Sequence, residues 1–166
     1  MDILFDTDIL STFAKADMIK LLEELYSGDN LYITPAIIEE LKVPKEFGYN
    51  FPDLILNSEK FNIISLNETE LKEFKVKLLK QDKLHKGEIE ALIICKNRRY
   101  TFSSRDSCAL KFAQSEGVTV ISLHSILKAL WYFKILPKQE VRNLINAMEK
   151  EDNLIIKNKE VIFKED

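Results

Sequence analysis

The sequence predicts a three-layer α/β/α fold with a central, mostly parallel sheet. Short apolar runs alternate with longer amphipathic segments along nearly the whole chain, and helix-capping residues stand at many of the junctions. Strands that alternate with helices in this way form parallel sheets with helices on both faces. We expect one domain over residues 1–166, with a helical extension and an edge strand or hairpin in the region of about 124–166.

Five short apolar runs are the predicted strands of this sheet. Their length and composition fit strands that are buried on both faces, as parallel sheets require. The third run also fits an extended link, and the tail at 154–163 is a further candidate for an edge strand. The five runs cover residues 3–5, 31–33, 61–66, 100–103 and 118–122.

Capping residues and prolines set the predicted helix boundaries. Asp17 and Thr34 each precede an amphipathic segment, and Asn67 with Glu70 forms a capping-box pattern. The segment 47–52, with Pro44 just before it, is predicted to be loop-like. The predicted helices cover residues 9–16, 17–26, a segment after Thr34, a short turn from Asp53, and residues 67–80, 87–97, 106–116, 124–133 and 137–149.

Composition excludes several kinds of site. The four glycines are far apart, so the chain cannot form a glycine-rich phosphate loop, and the net charge of -3 does not suggest a wholly basic nucleic-acid surface. Two cysteines and two histidines are too few for the common zinc sites. Metal chemistry in this chain would therefore depend on carboxylates.

Composition also bears on location in the cell. The N-terminus is acidic, and no apolar run reaches the ~18 residues that a membrane helix needs. Cysteines this few are most simply free thiols in a reducing compartment. We therefore expect a cytoplasmic protein without a membrane partner.

Two aspartates directly follow predicted strands. Asp6 follows the first apolar run, and Asp106 follows the run at 100–103. Ligands of open α/β sheets bind beyond the carboxyl ends of the strands, so both aspartates are expected at the ligand-binding edge.

Two glutamates are predicted on the inward faces of helices. Glu88 belongs to the apolar stripe of the predicted helix 87–97, whereas Glu90 is expected on the opposite side. Glu40 borders an apolar face of an earlier helix, with its neighbour Glu39 as the competing assignment.

Four such carboxylates need a source of positive charge. An ionised carboxylate that faces inward costs several kcal/mol unless a partner compensates it, and like charges raise one another's pKa. The sequence places no comparable set of basic residues beside them. A hard divalent cation, Mg²⁺ or Mn²⁺, held by carboxylates and water is the simplest solution.

The acidic motifs resemble those of the PIN-domain family of metal-dependent ribonucleases, in the same order and over essentially the whole chain. Residues 118–149 resemble a toxin-like subgroup with an extended C-terminus. The four motifs are Ile-Leu-Phe-Asp6-Thr-Asp8, Tyr-Ile-Thr-Pro-Ala-Ile-Ile-Glu-Glu40-Leu, Lys-Gly-Glu88-Ile-Glu-Ala-Leu and Thr-Phe-Ser-Ser104-Arg-Asp106.

This resemblance implies an endoribonuclease that hydrolyses RNA with Mg²⁺ or Mn²⁺, and that could be the toxin of a toxin–antitoxin pair. Asp6 and Asp106 would be the principal metal ligands, and Glu88 would hold a metal-bound water or a second ion. Glu40 would orient the attacking water. RNA, an antitoxin protein and a second copy of the chain are the implied partners.

Three further residues have supporting roles in this hypothesis. Ser104 would fix the Asp106 carboxylate, and Asp8 would lie just outside the metal ligands or cap the first helix. Arg105 stands where relatives often carry Asn or another acid. It would either reduce the charge of the site or contact the substrate phosphate.

The sequence is also compatible with two other functions. The pair Asp6 and Asp8 also resembles the motif of haloacid-dehalogenase-type phosphatases, although Leu10 stands where that motif has Thr or Val. A catalytically inactive PIN-like module that binds RNA or a partner protein is a second alternative. Self-association is expected through large apolar residues near the C-terminus, namely Leu127, Leu130, Trp131, Phe133 and Leu136.

Overall fold

A five-stranded parallel sheet forms the centre of the computed structural model, which describes residues 1–80 and 84–165. Each strand pairs in parallel with its neighbours, in the order β3-β2-β1-β4-β5. Helices flank the sheet, so the three-layer fold class is confirmed. The strands are β1 (Asp2–Phe5), β2 (Asn30–Ile33), β3 (Phe61–Ile63), β4 (Thr101–Ser104) and β5 (Val120–Ser122).

The helices connect the strands and extend beyond the last one. In the described part of the chain they are α1 (Thr7–Lys15), α2 (Ile19–Leu25), α3 (Pro35–Glu46), α4 (Asp53–Leu56), α5 (Glu68–Lys80), α6 (Lys86–Arg98), α7 (Ser107–Ser115), α8 (Leu123–Tyr132), α9 (Lys138–Glu151) and α10 (Lys159–Ile162). Within residues 1–80 and 84–165, none of these helices is long and apolar enough to cross a membrane.

The strand order creates a switch point between β1 and β4. From β1 the chain builds one side of the sheet through β2 and β3, and it then crosses to β4 on the other side. Leu4 pairs with Phe102 and Phe5 with Ser103, and all four side chains are fully buried. In open α/β sheets the crevice at such a switch point is where ligands bind.

Two predicted helix starts are confirmed by their hydrogen bonds. The Thr34 hydroxyl accepts from Ile37 N at 3.4 Å at the start of α3. At the start of α5, Glu70 N donates to Asn67 Oδ1 at 2.9 Å, and Asn67 N donates to Glu70 Oε2 at 2.8 Å. These reciprocal bonds form the capping box that the sequence predicts.

One other boundary prediction is wrong. Asp17 does not cap α2, because it has a φ of 57° in the left-handed region that Asp tolerates, and the helix begins at Ile19. The predicted loop at 47–52 is confirmed, since these residues belong to no helix or strand, and Pro44 just before it lies inside α3. Pro44 falls in the last turn, where the missing N–H removes only one hydrogen bond before the helix ends.

The predicted edge strand in the C-terminal tail is also wrong. Residues 154–158 belong to no helix or strand, and the short α10 follows them. Side chains of α8 hold this tail instead: Trp131 Nε1 donates to Ile162 O at 2.8 Å, and His124 Nε2 lies 2.6 Å from Lys157 O. Each of these contacts involves a single backbone oxygen. The tail therefore packs against α8 without the regular backbone hydrogen bonds of a β-strand.

Candidate active site

The four acids lie on elements that meet at the switch point. Asp6 follows β1 and Asp106 follows β4, which are adjacent strands of the sheet. Glu88 stands in the first turn of α6, and Glu40 stands near the middle of α3. The contacts described below join all four to this edge.

Asp6 is a buried acid with like-charged neighbours. Its side chain is 3% exposed, and its carboxylate accepts from Thr7 N at 2.8 Å and from Ser104 Oγ at 2.9 Å. Burial raises the pKa of Asp6 to about 8, and the nearby carboxylates of Asp8 and Glu88 add to the rise. The two hydrogen bonds therefore do not compensate the ionised form, and a proton or a cation is needed to stabilise it.

Glu88 adds a second buried carboxylate to the site. Its Oε2 accepts from His85 N at 2.8 Å, which fixes the side chain at the start of α6. Burial raises the pKa of Glu88, and the carboxylates of Asp106 and Asp8 raise it further against the effect of the His85 hydrogen bond. Asp8 itself stands in the first turn of α1 with a half-exposed side chain.

Glu40 joins the starts of two helices. Its Oε2 accepts from Thr7 Oγ1 at 2.5 Å, and its Oε1 accepts from Gly87 N at 3.2 Å. A Cβ at Gly87 would lie only 2.6 Å from Glu40 Oε1, so the glycine makes room for this contact. Glu39 instead has an exposed side chain and pairs with Lys42. The structure thus places Glu40, and not Glu39, beside the other acids.

Ser104 connects the two strand-end aspartates, but not in the predicted way. Its hydroxyl donates to Asp6 Oδ2 at 2.9 Å and accepts from Asp106 N at 3.0 Å. The Asp106 carboxylate turns instead to the start of α7, where its Oδ1 accepts from Cys108 N and Ala109 N. Ser104 therefore orients the Asp6 carboxylate, because β4 lies directly beside β1.

Arg105 is held between the acids and the end of α9. Its Nη1 donates to Asp152 Oδ2 at 2.6 Å and to Thr12 Oγ1 at 2.9 Å, and its Nη2 lies 3.9 Å from Asp8 Oδ2. Lys15 also contacts Asp152, at 2.5 Å. The guanidinium thus places positive charge at the outer side of the site, next to Asp8.

Sequence reasoning missed several residues that build this site. Thr7 and Gly87 position Glu40, and Asp152 holds Arg105. Glu90 does not project away from the core: it is buried and accepts from Ala36 N at 3.0 Å at the start of α3. The glycine directly before Glu88 was the one available signal, since a missing side chain there lets another group approach.

The donor set fits a hydrated hard cation. Among residues 1–80 and 84–165, no three Asp, Glu, His or Cys side chains converge closely enough to form a ready-made metal cage. Mg²⁺ usually keeps several waters and binds proteins through one or two carboxylates, so it does not need such a cage. The raised pKa of Asp6, beside further carboxylates, is the environment that a divalent cation stabilises.

Comparison with known proteins identifies the family. A family model described as a PIN domain matches residues 2–162, and the chain belongs to this family. No curated protein matches the sequence. PIN domains are generally nucleases, which are hydrolases, and they typically use divalent metals. The chain therefore has a nuclease-type fold. The resemblance seen in the acidic motifs is thereby confirmed, and the haloacid-dehalogenase alternative is set aside.

Proposed function

We propose that the protein is an endoribonuclease that hydrolyses RNA with the help of Mg²⁺ or Mn²⁺. The observation that supports this most strongly is the state of Asp6 at the switch point. It is almost fully buried and has carboxylate neighbours, and within the described residues it forms no ion pair with Lys, Arg or His. A buried acid in this environment is typical of functional sites.

Asp6, Glu88 and Asp106 are the proposed metal ligands. A divalent cation held by these residues would supply a water of lowered pKa and would offset the charge on the phosphoryl oxygens. Ser104 fixes the orientation of the Asp6 carboxylate, and the His85 amide fixes that of Glu88. In metal sites, such hydrogen bonds orient the ligands and strengthen metal binding.

Glu40 is the proposed residue for orienting the attacking water. Both of its oxygens already accept hydrogen bonds, from Thr7 and from Gly87. Each carboxylate oxygen has two lone-pair directions, so each retains capacity to accept from a water. Glu40 can therefore hold that water in place, and it can take up its proton as the water attacks phosphorus.

Arg105 is the proposed contact to the substrate phosphate. Asp152 and Thr12 bind one of its terminal nitrogens, while the other points towards Asp8. A guanidinium held in this way loses little side-chain freedom when it binds a phosphate oxygen. In the free protein the same group places its positive charge beside Asp8.

We propose in addition that the protein is a cytoplasmic toxin of a toxin–antitoxin pair, and that it forms a dimer. The toxin proposal rests on the resemblance of residues 118–149 to the extended subgroup, the location on the composition of the chain, and the dimer on the large apolar residues near the C-terminus. Leu127 and Leu130 are fully buried in the chain's own core, so a dimer contact would depend on exposed neighbours such as Tyr132 and Phe133. Sedimentation as a strict monomer at high concentration would count against the dimer.

The test of the proposed activity is cleavage of labelled single-stranded RNA. We expect cleavage with Mn²⁺, its loss with EDTA, and a loss of at least about 100-fold in Asp6→Asn, because even partners of metal ligands are worth 10–100-fold. Glu39→Gln is the matched control for Glu40→Gln and should cleave normally. Equal cleavage with Mn²⁺, with EDTA and by Asp6→Asn would overturn the proposal, and RNA binding without cleavage would favour an inactive binding module.

A further inference from the structure

A cavity of about 540 Å³ opens directly beside the proposed active site. Asp8, Arg105 and Asp106 line part of it, so the cavity and the site share residues. The cavity then runs between the start of α7, the start of α8 and the tail segment 154–157. Its volume falls within the range of about 300–1,000 Å³ that is usual for small-ligand sites.

The lining of this cavity is amphipathic. Leu110 and Ile155 provide apolar surface, Ser122 provides a hydroxyl, and Lys157 adds a positive charge to that of Arg105. A ribonucleotide has the same combination of properties: a base with apolar faces, a sugar rich in hydroxyls and an anionic phosphate. Apolar side chains can pack on the faces of any of the bases, and cations bind the phosphate.

The tail wall of the cavity is held in place before any ligand binds. His124 Nε2 lies 2.6 Å from Lys157 O, which ties the segment to α8. Glu149 of α9 accepts from Ile156 N at 2.8 Å and from Lys159 Nζ at 2.6 Å. These three contacts fix residues 156–159 from two sides, so a ligand would meet a preformed wall and pay little ordering entropy.

We propose that this cavity binds the nucleoside that adjoins the scissile phosphate of the RNA substrate. This inference rests on the proposed function, since it takes the phosphate to lie between the carboxylates and Arg105. The next sugar and base along the strand then reach the cavity, which Asp106 and Arg105 also line. The segment 154–157 becomes part of the substrate site, although its sequence carries no nucleic-acid motif.

The experiment compares two substitutions that each add one negative charge near the carboxyl ends of the strands. Ile155→Glu introduces a carboxylate into the cavity wall, at a side chain that is 81% exposed and can change without unfolding the chain. Ile63→Glu is the matched control, because Ile63 is 65% exposed at the end of β3 on the opposite edge of the sheet. Both variants and the parent chain are measured in parallel.

Two measurements are made on each chain. The first is binding of the nucleoside monophosphates AMP, GMP, CMP and UMP in EDTA, followed by NMR shifts of the amides of Ser122, Ile155 and Lys157. The second is cleavage of single-stranded RNA with Mn²⁺. We expect shifts in the parent chain and in Ile63→Glu but not in Ile155→Glu. The KM of Ile155→Glu should rise at least about fivefold with kcat little changed, since losing apolar contact to the base costs about 1 kcal/mol or more.

The outcomes separate this inference from the proposed function. Nucleotide-induced shifts that Ile155→Glu removes, in a chain that does not cleave RNA, would support nucleotide binding in the cavity and overturn the ribonuclease activity. Cleavage with the same KM in both glutamate variants and no shifts at these amides would overturn the cavity proposal alone. Shifts of equal size in both variants would also overturn it, because the nucleotide would then be bound elsewhere.

Discussion

Asp6 and Glu70 both expose little surface, 3% and 2%, yet their pKa values shift in opposite directions. Arg98 donates to the Glu70 carboxylate through Nε at 2.8 Å and Nη2 at 2.5 Å, and these bonds lower the pKa of Glu70. Burial instead raises the pKa of Asp6 to about 8, with a further contribution from the carboxylates around it.

Asp6 lies deeper in the protein than Glu70, and the two acids also differ in their source of positive charge. Glu70 has its cation within the chain, so its ion pair is complete in the folded protein. Asp6 has none in the described part of the chain, and an external cation can supply it. Helix α6 links the two regions: Glu88 stands in its first turn and Arg98 at its end, about 15 Å away along the helix axis. A buried acid without an internal cation is thus the better guide to a site.

The largest expected effect is on catalysis. Glu88→Gln should lower RNA cleavage at least about 100-fold, because it removes a charge from the proposed metal site while the side-chain oxygen can still accept from His85 N. Glu70→Gln makes the same chemical change at the paired acid and should leave the rate within about threefold when the protein is folded. Cleavage rates with Mn²⁺ measure both, and equal losses in the two variants would remove the distinction.

The next effect is on stability, and its sign should differ between the two acids. In EDTA at pH 7.5, Asp6→Asn should raise the free energy of unfolding by an amount on the order of 2 kcal/mol, because the buried acid no longer has to be kept protonated. Glu70→Gln should lower it by about 1–2 kcal/mol, since Arg98 loses its charged partner. Urea unfolding measures both changes, and a loss of stability in Asp6→Asn would contradict the account.

The pH dependence should show the same opposition. Folded Asp6 keeps its proton up to about pH 8, whereas the unfolded chain loses it near its ordinary pKa of about 4. Stability should therefore fall as the pH rises through this window, and Asp6→Asn should remove that fall. The Glu70 contribution is present above the ordinary Glu pKa and is lost as the pH falls through the lowered value. Unfolding curves from acid pH, below the lowered pKa of Glu70, up to about pH 8 would show whether the two slopes differ in sign.

A smaller effect should follow from filling the space beside Glu40. Gly87→Ala would place a Cβ about 2.6 Å from Glu40 Oε1 and should displace this flexible carboxylate. We expect about a tenfold loss of cleavage with little change in stability. Gly28→Ala is the matched control, because a Cβ there would meet nothing within 4 Å. If the two alanine variants cleave equally well, Glu40 does not orient the water as proposed.

The sequence predicted much of the fold because the local signals agreed with one another. Apolar runs and caps such as Thr34 and Asn67 gave the alternation of strands and helices, and the parallel sheet followed from it. Asp17 misled, because tertiary packing decided which of several allowed local structures formed. The strand order was not available from local pattern, and it alone places β1 beside β4.

The site was predictable in its acids but not in the groups that hold them. Strand-end and inward carboxylates are visible in a sequence as acids at apolar positions. Ser104 was assigned to the wrong aspartate, since its partner depends on which strand lies next to β4. The burial of Glu90 was missed for a similar reason: α6 is buried on more than one side, and an amphipathic stripe cannot show that.

Binding of Mn²⁺ to the metal-free protein tests the central claim most directly, because it asks whether Asp6 takes its missing positive charge from outside the chain. Calorimetric titration should show binding to the parent chain and to Glu70→Gln, together with a rise in their unfolding temperatures. Both effects should be lost in Asp6→Asn. Equal binding of Mn²⁺ by Asp6→Asn and the parent chain would contradict the account.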